Sequence, residues 1–374
     1  MSKQLAVPIK KHFVNLTDPR RRKVTYPLIN IVTIAICAVV CGADDFVSIA
    51  QWARTKKKWL ATFLDLRAGI PSHDRFNAVL AAIRPGEFEK CLLSFITALH
   101  DVTAGQVVAI DGKTLRRSFD AASGKAALHL VSAWAGQLRL SLGQVAVDQK
   151  SNEIPAVMKL LELLDLEGAV VTLDAMHCQK ETAAAIRRRG ADYLLPVKAN
   201  QPKLLEQIQD LFTAYGDEDW QGTRRCTQTE SARHGRSELR EYIVAPAPKG
   251  LDALWCDIRS VGMVYRHREA KGQESDEASY FISSLPPKVR ALSQHVRGHW
   301  GIENGLHWTL DVTFSEDKSR IRKGKGPEIA AVFRRLALSI LKQDTTLKEN
   351  IRGKRVRAGW NNNTLQAILT GNTA

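Results

Sequence analysis

The sequence predicts an α/β protein whose mixed core follows a helical region and is interrupted by a β-rich insertion. Three observations lead there. Apolar residues recur at helical spacing through about the first hundred positions. From Gln106 the pattern changes to short β-rich runs separated by Gly-containing turns, and after Glu153 such runs alternate with amphipathic helices. The division expected is a helical domain over 1–100, a first core part over 101–200, a helix plus β-rich insertion over 201–287, the C-terminal core part over 288–345 and a basic tail over 346–374.

Taken in order, a basic opening (Lys10, Lys11, then Arg20, Arg21, Arg22 and Lys23) leads to an apolar run from Leu28 to Cys41. That run is about 14 residues long and includes Asn30 and Thr33, with no small-residue cleavage site, so it predicts a buried helix and no membrane or signal segment. An amphipathic stretch spans Trp52 to Leu66. Pro71-Ser72 is a start signal for Phe76, Val79, Leu80 and Ile83 at helical spacing. VVAID, AALHLVSAW and LRLSLGQVAV predict three adjacent strands joined as hairpins. Glu153 to Leu164 then predicts a helix, AVVTLDA a buried strand, Cys178 to Arg189 a helix and DYLLPVK a strand. This order, β-β-β-α-β-α-β, is the layout of a ribonuclease-H-like core. A helix from Gln201 to Phe212 precedes a polar region with strands at LREYIVA, DIRSVGMVY and SYFISSL, which forms the insertion. Pro286-Pro287 ends it, and Val289 to Leu310 returns to helical spacing with room for a break at Gly298 or Gly301. A helix from Ile329 to Leu341 carries Arg334 and Arg335.

Composition narrows the function. With 44% hydrophobic and 25% charged residues the chain reads as globular, neither disordered nor fibrous. Fifty-four Lys and Arg against 39 Asp and Glu leave a net charge of +15, which favours a polyanionic partner, nucleic acid first, because each neutralised phosphate releases counterions. The cysteines at 37, 41, 91, 178, 226 and 256 form no CxxC pair and no disulfide scaffold, as in a reducing cytosol.

Two aspartates stand out. Asp111 closes VVAID and Asp174 closes VVTLD, so each is placed at the C-terminal end of an apolar strand, where a rigid backbone could hold a carboxylate for a hard divalent cation. Singly, each has a plainer explanation: Asp111-Gly112 as a turn pair, Asp174 as a helix cap. A third acid is needed from RGHWGIENGLHWTLDV or just beyond it, and Glu303, Asp311 and Glu316-Asp317 compete on spacing alone. His299, Glu303 and His307, four residues apart, also present a zinc alternative on one helix face, although the order is not HExxH.

DGKTLRRSFD, KSNEIPA, LDAMHCQK, YLLPVKANQ, HGRSELR, VRGHWGIENGLHWTLDVTFSED and FRRLALSILK, in this order, closely resemble the insertion-sequence DDE transposases grouped with the H-repeat-associated proteins. The resemblance runs from about Phe13 to Lys342. It implies a ribonuclease-H-like catalytic domain and carries over Asp111, Asp174 and Glu303 as the catalytic, metal-holding triad. Related DDE families show an Arg-Trp pair before the glutamate and a lysine after it, where this chain has His299-Trp300 and Asp311. Phosphate contacts are therefore sought at Lys113, Arg116, Lys198, His299 and Arg320.

The chemistry implied is two-metal-ion hydrolysis at an element end, with two Mg²⁺ ions or Mn²⁺ in their place, and then in-line attack of the freed 3′-hydroxyl on target DNA. The partners expected are double-stranded DNA, as element ends and as target, and a second copy of the chain in a homodimer or larger assembly, in the cytoplasm at the nucleoid. A catalytically silent DNA-binding protein and a stand-alone metal-dependent nuclease are the alternatives.

Overall fold

The structure, a computed structural model, describes residues 11–21, 24–99, 105–148, 151–232, 236–270 and 272–370. The described N-terminal part is helical: α1 (Leu28–Val40), α2 (Phe46–Thr55), α3 (His73–Leu80) and α4 (Pro85–Leu99). Every residue of α1 except Ile29 is buried, so its apolar run faces protein on nearly all sides. Asn30 fits inside it by donating its side-chain amide to the Asp65 carbonyl at 2.7 Å. Ser72 caps α3 as its position predicts, accepting from the Arg75 N–H at 3.3 Å. Among the described residues no helix is long and apolar enough to cross a membrane.

The centre is one nine-stranded sheet. Its strands are β1 (Val107–Leu115), β2 (Leu128–Ala135), β3 (Leu140–Ala146), β4 (Val170–Thr172), β5 (Asp192–Val197), β6 (Arg224–Ala232), β7 (Arg236–Pro246), β8 (Ser260–Ala270) and β9 (Gln273–Ser283), in spatial order β3-β2-β1-β4-β5-β9-β8-β7-β6. β1, β2 and β3 are an antiparallel meander, whereas β4 and β5 join parallel to β1. The crossovers are α5 (Glu153–Leu163) and α6 (Lys180–Arg188), so the β-β-β-α-β-α-β order is present. After α7 (Pro202–Asp217), the four inserted strands extend the same sheet because β9 pairs antiparallel with β5. β6 has no counterpart in the sequence reading. Its residues, RRCTQTESA, carry little apolar signal because it is the edge strand.

Beyond the sheet run α8 (Val289–His299), α9 (Trp308–Thr313), α10 (Gly326–Gln343), α11 (Ile351–Trp360) and α12 (Asn362–Thr370). One large apolar cluster runs from Phe13 to Leu369, joining the N-terminal helices, the central strands of the sheet and α10. The segment read as a basic tail carries α11 and α12, because its basic residues find acceptors inside the protein. Lys354 Nζ lies 2.9 Å from Asp344 Oδ2, and an Arg355 terminal nitrogen lies 2.6 Å from Asp44 Oδ1 and 3.1 Å from the Val39 carbonyl.

Candidate active site where β1 meets β4

β1 and β4 are parallel neighbours registered Ala109 to Thr172. Asp111 and Asp174 each follow that registered pair by two residues, so the two aspartates leave neighbouring strands at the same level of the sheet. Neither residue sits as the sequence suggested. β1 continues past Asp111 to Leu115, paired only with β2, so Asp111 lies where the parallel ladder stops and not at a strand end. Asp174 stands two residues beyond β4, before a 3₁₀ turn at Ala175–His177 to which its side chain gives no capping hydrogen bond. Asp111 Oδ1 accepts from the Gly112 N–H at 2.8 Å, which fixes its rotamer.

The helix carrying Glu303 crosses these strands closely. A Cβ on Gly298 would stand 3.1 Å from Val107, and one on Gly305 would stand 3.0 Å from Trp134, so both glycines allow the near approach. His299 Nδ1 lies 3.1 Å from Thr172 Oγ1 on β4, while His307 Nδ1 lies 3.4 Å from Asp111 Oδ2 on β1. Glu303 is midway between these anchors, in the π-helical turn Glu303–His307, with its side chain exposed. That turn widens the helix and changes the phase that regular α spacing predicts.

The rival acids are engaged elsewhere. Lys113, 9% exposed, pairs with Asp311 and lies 3.7 Å from both Glu316 Oε2 and Asp317 Oδ1. His299 and His307 turn to different strands, so the zinc alternative has no convergent set. Among the described residues no three His, Cys, Asp or Glu side chains stand together as a ready ligand cluster, and this includes Asp111, Asp174 and Glu303.

Two properties nonetheless suit a hard cation. The candidate donors are carboxylate oxygens, the ligands a hard cation prefers. The Asp111 carboxyl is pushed up to about 6, first by burial and further by the charges of Asp174, Glu303 and Glu153, against the Gly112 hydrogen bond. Negative charge is crowded there, and the exposed Asp174 and Glu303 side chains can turn towards a cation that relieves it.

Glu153, at the start of α5, is the neighbour that sequence reasoning passed over. Its oxygens lie 2.7 Å from His129 Nε2 and 3.2 Å from His177 Nε2, and these two bonds hold its carboxyl down to about 2. The only sequence signal was its place in KSNEIPA.

Of the five residues expected at phosphates, two are turned inward. The Lys113 charge is spent on internal carboxylates. Burial pushes the His299 pKa down, against the pull of Asp174, and its Nδ1 faces Thr172. Arg116 is 81% exposed though 3.3 Å from Asp317, and Lys198 and Arg320 are exposed. Arg320 lines a cleft of about 630 Å³ with His73, Lys318 and Arg322.

Residues 103–340 match the family model described as "Transposase DDE domain", and residues 10–96 match the one described as "DDE_Tnp_1-associated". The chain is 36% identical over 353 residues to "Putative transposase YncI" of Escherichia coli O157:H7, covering 93% of this chain and 90% of that one. It is 33% identical over 371 residues to "H repeat-associated putative transposase YhhI" of Escherichia coli K12, covering 97% and 98%. A solved piggyBac transposase synaptic complex with hairpin DNA aligns over 98% of this chain and 75% of that chain at 10% identity and a TM-score of 0.41, too loose a likeness to argue from.

Proposed function

The chain belongs to the transposase DDE domain family, and from that premise we propose that it cuts and rejoins DNA at insertion-sequence ends by two-metal-ion chemistry, with Asp111, Asp174 and Glu303 as the cation-holding acids. The observation that supports the reading is that two aspartates each follow, by two residues, a registered pair on adjacent parallel strands, with Glu303 between helix contacts to Thr172 and Asp111. The strand order β3-β2-β1-β4-β5, an antiparallel meander followed by two parallel strands, supports a ribonuclease-H-like core extended by the inserted strands.

Bound between these acids, Mg²⁺ or Mn²⁺ would supply Lewis acidity at the scissile phosphate and lower the pKa of the attacking water. Asp111 is the fixed member, half-buried and held by Gly112, whereas Asp174 and Glu303 complete the set by rotation. In cleavage a water oxygen bonds to phosphorus as the P–O3′ bond breaks, leaving a free 3′-hydroxyl. In joining that 3′ oxygen attacks a target phosphorus, the target P–O3′ bond breaks, and no protein side chain is bonded to DNA on the way. Arg116, Lys198 and Arg320 are the candidate phosphate contacts, and the net charge of +15 supports a DNA partner. Bringing two ends together calls for a homodimer or larger assembly, working in the cytoplasm at the nucleoid.

The test is incubation of the full chain and Mn²⁺ with a duplex carrying an element end and a target plasmid. A nicked end together with a joined product is expected. Nicking without joining would point to a nuclease, and neither product to a silent DNA-binding protein.

A further inference from the structure

We infer that Glu153 is a fourth carboxylate of this site, a positioning residue clamped by His129 and His177 over the backbone of Gly112, and that its charge sets how tightly the site takes a divalent cation. The inference rests on the reading of Asp111, Asp174 and Glu303 given above.

The clamp joins β2, the neighbour of the Asp111 strand, to the turn that follows Asp174. His129 lies on β2 opposite Thr114 of β1, and its Nδ1 is 2.7 Å from Thr114 Oγ1 while its Nε2 holds Glu153. His177 ends the turn that Asp174 begins, is 1% exposed, and holds the other Glu153 oxygen. One carboxylate therefore ties the Asp111 strand to the Asp174 turn through both of its oxygens.

Gly112 explains how the carboxylate comes so close. Its backbone is not in the left-handed region, so the Asp-Gly pair is not there to make a turn. A Cβ on Gly112 would lie 2.6 Å from Cδ and from each oxygen of Glu153. Only glycine leaves that space, and the same Gly112 supplies the N–H that fixes Asp111. A negative charge fixed beside Asp111, facing partners from three elements, is placed to draw a cation and to keep the two aspartates in register.

Mn²⁺ binding to the full chain, read from the electron paramagnetic resonance signal of the free ion, tests this without any turnover. Glu153→Gln keeps the shape and removes the charge, and should weaken binding about tenfold, as loss of supporting residues around metal ligands does. Glu153→Asp should recover most of that loss, and Gly112→Ala, whose methyl takes the carboxylate's place, should reproduce the glutamine variant. If Glu153→Gln does not fold, Gly112→Ala and His129→Gln carry the same measurement. Wild-type affinity in Glu153→Gln alongside its loss in Asp174→Asn would overturn the fourth carboxylate and leave the three-acid reading standing. Equal weakening in the Gln and Asp variants would also overturn it, since shape and not charge would then matter. Unchanged affinity in Asp174→Asn would remove the three-acid reading, and this inference with it.

Discussion

Replacing Asp174 by Asn should lower the rate of end cleavage at least about 1000-fold, a loss of about 4 kcal/mol of transition-state stabilisation, while affinity for the same duplex at fixed salt should stay close to that of the parent. Asparagine matches aspartate in size but not in charge, and it is a poor ligand for a hard cation. The fold does not depend on the carboxylate, since Asp174 is exposed and caps nothing. Glu303→Gln should behave alike. Asp311→Asn provides the contrast, because Asp311 is paired with Lys113 and its loss should show in stability before it shows in chemistry. Gel assays of nicking and of duplex binding on the same preparations read all three, and Mg²⁺-dependent cleavage retained by Asp174→Asn would remove that residue from the set.

Replacing Arg335 by Met should destabilise the fold by about 3–5 kcal/mol, the usual cost of leaving a buried charge without its partner. Arg335 and Glu316 are both fully buried, with an Arg335 terminal nitrogen 2.9 Å from Glu316 Oε1. Arg335 also reaches Ser132 at 3.4 Å, the residue paired across the strands with Asp111, so the pair lies beneath the site. Urea unfolding measures the loss. The double variant Arg335→Met, Glu316→Leu should regain most of it, because an apolar pair of similar volume needs no desolvation of charge. A single variant as stable as the parent would contradict the burial argument.

Acid adds a signed expectation to the same experiment. Burial raises the Glu316 carboxyl, but Arg335, Arg334 and Lys113 outweigh it and hold the group below the usual carboxylate range. Its stabilising contribution is therefore complete above the unfolded-state value near about 4.3 and is lost as pH falls through the lower folded value. The parent should lose stability there more steeply than the double variant.

Periodicity made the core order, the buried α1, the Ser72 cap and the Pro286-Pro287 boundary legible, because each leaves a local mark. The polar edge strand β6 left none. Charge was read less well than hydrophobicity: Lys113, Arg335, Lys354 and Arg355 look like surface cations in sequence, yet each is buried against an acceptor inside the protein. For the same reason nothing in the sequence signalled that Lys113, expected at a phosphate, pairs with Asp311. The apolar runs pointed to Asp111 and Asp174, but the continuation of β1 depends on pairing with β2, and the π turn at Glu303, where Gly305 packs on Trp134, leaves no mark in residue spacing. Glu153 was invisible because its meaning lies in His129, His177 and the missing side chain of Gly112.

Anomalous scattering from manganese in crystals of the full chain bound to an element-end duplex tests the central claim most directly. The account predicts two manganese peaks about 4 Å apart, with oxygens of Asp111, Asp174 and Glu303 around them. Manganese bound in a place that excludes any one of these three carboxylates would contradict it.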